Sequence, residues 1–82
     1  MSVQEQLKIL AGAIRHGLRQ AGVNPAEATD RDVIEAVDEW AYLASRGDNR
    51  IAAKVAASLL QQDQVAYKRR MNQILKLVRQ GY

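Results

Sequence analysis

The sequence predicts an all-α fold, a small bundle of three or four helices, and three observations carry that prediction. Apolar residues recur at three- and four-residue spacings along most of the 82-residue chain. No segment shows the strict apolar–polar alternation of a half-buried strand. The single proline, Pro25, and the glycines at 22, 47 and 81 fall at the edges of the periodic segments, where helices start and stop. Residues 1–82 read as one helical domain.

The first helix is expected over about 2–21. Val3, Leu7, Leu10, Ile14 and Leu18 share one helical face, flanked by Ala11 and Ala21. Ser2 and Glu5 have the spacing of a capping box, in which each side chain satisfies the other residue's free backbone donor. Gly22 supplies the stop. Asn24-Pro25 then reads as a cap with proline at the first position of a short turn. A second helix, about 30–46, opens at Thr29 or Asp30 with Asp32 completing the cap, and carries a stripe of Val33, Val37, Trp40, Ala41 and Ala44. Trp40 reads as the largest core residue and Tyr42 as a surface residue. Gly47-Asp48-Asn49 is a turn, and Asp48 is expected to cap the third helix.

From there to Gly81 no proline or glycine interrupts the chain. Ile51, Ala52, Val55, Ala56 and Leu59 form one apolar stripe, and Tyr67, Met71, Ile74, Leu75 and Val78 form another. The second stripe is rotated by roughly 100° from the first, and the change falls at residues 61–64. Two arrangements satisfy this. Helices of about 49–62 and 64–80 break at Asp63 and fold back, or one continuous helix carries the second stripe beyond the bundle. In the second arrangement Tyr67, Met71, Ile74 and Val78 form a short coiled-coil-like seam against another copy.

An 82-residue chain without cysteine or phenylalanine has little beyond Ala, Val, Leu and Ile with which to build a core. That favours a homodimer. No run of about 18 apolar residues is present to cross a membrane. The N-terminal segment lacks the pattern of a secretory signal, so a soluble, cytoplasmic protein is expected.

Charge is segregated along the chain. Residues 26–48 carry seven acids against Arg31 and Arg46, whereas residues 49–82 carry seven bases against Asp63 alone. Chemistry has thin support by comparison. His16 is the only histidine, there is no thiol, and no serine lies near a histidine in sequence. The acids at 32, 35, 38 and 39 read as a solvated helix face, since no calcium-loop pattern accompanies them. Neither a P-loop nor a glycine-rich dinucleotide motif occurs. No enzyme activity and no cofactor is expected.

The residues singled out for binding are Lys68, Arg69, Arg70, Lys76 and Arg79. The leading expectation is a small protein-interaction module, an adaptor, inhibitor or regulator, which meets a larger protein, an acidic one among the candidates, through charged helical faces. The alternative is nucleic-acid binding through the same basic segment, with Asn72, Gln73 and Gln80 available beside the cations. Residues 51–75 match a helix-turn-helix only in degenerate form. Leu60 stands where that motif usually has glycine, Gln61 where it has an apolar residue, and Arg69 at a core position. A third arrangement lets the acidic and basic helices lie side by side and satisfy one another.

Overall fold

The computed structural model describes residues 1–81. Four helices, α1 (Val3–Gln20), α2 (Asp30–Ser45), α3 (Ile51–Leu60) and α4 (Gln64–Gln80), follow one another, with a 3-10 turn at Pro25–Glu27 between the first two. The expected all-α bundle is what forms, and among the described residues there is no strand.

Local chemistry sets most boundaries. The Ser2 hydroxyl accepts from the Glu5 N–H at 3.1 Å and donates to the Glu5 carboxylate, so only half of the expected capping box is made. Around Thr29 both halves are present. The Thr29 hydroxyl accepts from Asp32 N–H at 3.1 Å, and the Asp32 carboxylate accepts from Thr29 N–H at 3.0 Å. Asn24 caps the proline turn through Ala26 N–H. α1 ends in a Schellman motif, with Gly22 at φ 81° and Val23 N–H returning to the Leu18 carbonyl at 2.8 Å.

Asp48 does not cap α3 as expected. Its carboxylate accepts from the Arg50 N–H and guanidinium, and α3 begins at Ile51 with no side-chain cap. The chain then breaks after Leu60, where Asp63 accepts from Ala66 N–H at 2.9 Å and starts α4. The break stems from the rotated stripes: only a bend at residues 61–63 lets both apolar faces reach the same interior.

That interior is built mainly on α1, whose Leu7, Leu10, Ile14 and Leu18 are buried against both α3 and α4. α3 supplies Ala52, Val55, Ala56 and Leu59, and α4 supplies Met71, Ile74, Leu75 and Val78. α2 packs chiefly on α3 and contributes only Val33 and Val37 as fully buried residues. No polar or charged residue is buried among those described.

Two expectations are corrected here. Ile74 and Val78 are 0 % exposed and Met71 is 4 % exposed within the single chain, while Tyr67 is half-buried and packed on the same cluster. These side chains fill the chain's own core and do not overhang as an intermolecular seam. Trp40 is only half-buried, at the edge of the core, because α1 and α2 diverge in front of it.

Candidate functional site

The five basic residues of α4 do not form one uniform face. Lys68, Arg69 and Lys76 are exposed, and no hydrogen bond or ion pair engages them among the described residues. Arg70 is half-buried and borders a small cavity of about 70 Å³ with Leu7, Val55 and Leu59. Arg79 is structural. Its Nε donates to the Ala28 carbonyl at 2.9 Å, and its guanidinium pairs with Asp30 at the start of α2. This ties the end of α4 to the loop that precedes α2, about fifty residues away in sequence.

The acidic helix is thus matched to the basic helix only at its first residue. Among the described residues Arg79–Asp30 is the one ion pair between α2 and α4. Arg31–Glu35 lies within α2, and Arg50–Asp48 lies in the α2–α3 connection. The Arg50 guanidinium holds the Asp48 carboxyl below its ordinary range. Burial, with the Asp38 charge second, pushes the Tyr67 phenol above its ordinary value. Gln73 is half-buried, and its Oε1 is enclosed without a hydrogen-bond partner.

In the α3–α4 segment the three-residue turn of a helix-turn-helix is present, and Arg69 is exposed and not buried. The two helices make little direct contact, however, and each packs on α1. Among the described residues no group of three or more His, Cys, Asp or Glu side chains converges to hold a metal. His16 is exposed on α1.

Sequence reasoning missed a second surface. Where α1 and α2 diverge they leave an open trough of about 500 Å³. One wall is a line of small residues, Ala13 and Gly17 on α1 and Ala21 at its C-cap. The other is Ala36, Trp40 and Leu43 on α2, with Asp32, Glu35 and Glu39 along the rim. A second hollow of about 480 Å³ shares Ala13, His16, Trp40 and Arg50 with the first and extends it toward Ile9 and Ile51. Those two isoleucines are 37 % and 44 % exposed. Arg50 sits over the Trp40 ring, with its guanidinium carbon 4.6 Å from the ring centroid.

One local signal in the sequence pointed here. Gly17 lies within α1, in its last turn, where glycine loosens the backbone relative to alanine. A β-carbon placed on it would meet nothing within 4 Å, so no contact within the chain requires it.

Comparison with protein-family models, with curated proteins and with solved structures returned no match to this chain.

Proposed function

We propose that this protein is a non-enzymatic interaction module that binds a larger protein through its charged helical faces. The observation that carries this reading is the incomplete internal use of segregated charge. One ion pair joins α2 to α4, while Glu39 on one helix and Lys68, Arg69 and Lys76 on the other stay exposed with no ion-pair partner among the described residues. Single surface pairs add little stability, up to about 1 kcal/mol, so such faces act mainly on partner choice and association rate.

The test is affinity capture from a host-cell lysate, with and without nuclease, using the native chain and a Lys68/Arg69/Lys76→Gln variant. The expected result is a defined protein that survives nuclease treatment and is weakened by the triple variant or by Glu35/Glu39→Lys. Retention of nucleic acid alone would overturn the proposal.

The exposed trio on α4 favours nucleic-acid binding as the second reading. With Arg79 engaged and Arg70 half-buried, three phosphate contacts set the electrostatic term. The slope of log affinity against log salt is then roughly −2.7. A DNA titration across a salt series with a slope near zero, or one unchanged in the triple variant, removes this reading.

A further inference from the structure

The trough between α1 and α2 has the dimensions and chemistry of a receptor for a helix. Ala13 to Ala21 spans the last two turns of α1 and its C-cap, and Asp32 to Leu43 spans three turns of α2. At 1.5 Å per residue the walls are about 12 and 16 Å long, which matches eight to eleven residues of a docked helix. Small side chains on the α1 wall let a second backbone approach closely.

Gly17 is the most telling of these. Nothing in the chain occupies the space its side chain would take, so the loosening it brings to α1 has no return in the monomer. A partner atom placed above Cα of Gly17 would supply that return.

Charge fixes the partner's chemistry. Asp32, Glu35 and Glu39 rim the trough, and Arg50 is the only lysine or arginine lining it among the described residues. Glu39 is exposed and has no ion-pair partner among the described residues. Arg50 shows in addition that this environment receives a guanidinium against the indole of Trp40. Asp32 already accepts from Thr29 N–H and Glu35 pairs with Arg31, so an acidic segment would meet repulsion and a neutral one would leave Glu39 desolvated without a partner.

We propose that the trough receives a basic amphipathic helix of a partner protein, with apolar side chains above Gly17 and beside Trp40 and with lysines or arginines against Asp32, Glu35 and Glu39. This rests on the protein-interaction reading above and adds the class of partner. It corresponds to the helix-in-groove mode, with anchors at i, i+3 or i+4, and i+7.

Trp40 is the chain's only tryptophan, so its fluorescence reports occupancy directly. The probe is a synthetic peptide of about 18 residues with leucine on one helical face and lysine on the other. Its control carries glutamate in place of lysine. The lysine peptide is expected to change Trp40 emission saturably, and the glutamate peptide is not. Gly17→Phe, which fills the trough, should abolish the response with helical circular dichroism retained. Glu35/Glu39→Lys should weaken binding by at least about tenfold, the effect of some 1.4 kcal/mol. Asp38→Lys, on the other side of α2, should leave it unchanged.

If Gly17→Phe does not fold, Gly17→Ala serves. It should melt at a higher temperature than the native chain and bind the peptide more weakly. Unaltered affinity in Gly17→Phe or Gly17→Ala, equal binding of the glutamate peptide, or no saturable change with the lysine peptide each overturns the proposal. So does a concentration-dependent doubling of mass that buries Trp40, since a second copy would then be the occupant. Should the peptide fail while lysate capture still depends on Lys68, Arg69 and Lys76, the trough is excluded and the general interaction reading stands.

Discussion

Ile74→Lys separates a core position from an intermolecular seam more sharply than any other change in this chain. Ile74 is fully buried on α4 and belongs to the single cluster that joins all four helices. Removing its side chain from that site forfeits about 1.5–3 kcal/mol of apolar burial. Placing an ammonium group there adds several kcal/mol more, because no carboxylate is buried nearby to pair with it. The sum, roughly 5–8 kcal/mol, compares with a total stability of about 4–12 kcal/mol for a chain of this length. At about 4–8 °C per kcal/mol for a small domain, the melting temperature drops by at least about 20 °C, or the cooperative transition disappears. Circular dichroism against temperature at two protein concentrations reads this. Ile74→Ala, expected to cost about 2–5 kcal/mol, keeps a measurable transition that does not move with concentration. A seam would behave differently, since Ile74→Lys would then leave a folded monomer with native helicity. A native-like melt of Ile74→Lys would refute the assignment of this residue to the core.

Four further outcomes are expected. Gly17→Ala stabilises the chain by about 0.5–1 kcal/mol, read by urea denaturation, because the added methyl meets no neighbour. Arg79→Ala destabilises by about 1 kcal/mol through loss of the Ala28 and Asp30 contacts, whereas Lys76→Ala stays within about 0.5 kcal/mol of native. Thr29→Ala removes one half of the capping box and lowers stability by about 1 kcal/mol. The raised value of Tyr67 gives a pH signature. Folding favours its neutral form, so that contribution is complete below the ordinary tyrosine value of about 10 and is lost as pH rises through the folded value. Tyr67→Phe should remove this part of the alkaline dependence in a denaturation series.

The helices were legible because their causes are local. Each apolar stripe, each glycine stop and the Thr29 and Asp63 caps lie within a few residues of the boundary they set. Even the break at residues 61–63 was encoded in the rotation between two stripes, although periodicity alone left a continuous helix open. The arrangement of the surface depends on longer reach. Arg79 looks like Lys76 in sequence, and its engagement arises only when the fold brings Ala28 and Asp30 beside it. Gln73 sits among cations in the chain, yet its amide oxygen is enclosed. Trp40 lies on the expected stripe, but its partial exposure comes from the separation of α1 and α2, which no local pattern specifies. The exposure of Lys68, Arg69 and Lys76 was readable because they lie away from the apolar stripe, and a helix that buries the stripe must present them.

The two charged surfaces are kept apart by the apolar pattern. Asp32, Glu35 and Glu39 line the trough beside α1, whereas Asp38 lies outside it. The acids of one helix thus serve two environments, and among the described residues only Asp30 reaches a base on α4. Had α2 been rotated to pair its carboxylates with α4, the trough would lose its rim and α4 its free cations. The stripe of Val33 and Val37 prevents that rotation, since both must stay against the core. A small gain from added surface ion pairs, within about 1 kcal/mol each, cannot offset exposing two buried valines at about 1.5–3 kcal/mol apiece. Apolar packing therefore outweighs charge pairing in setting the orientation of α2, and it leaves Glu39 exposed without an ion-pair partner among the described residues.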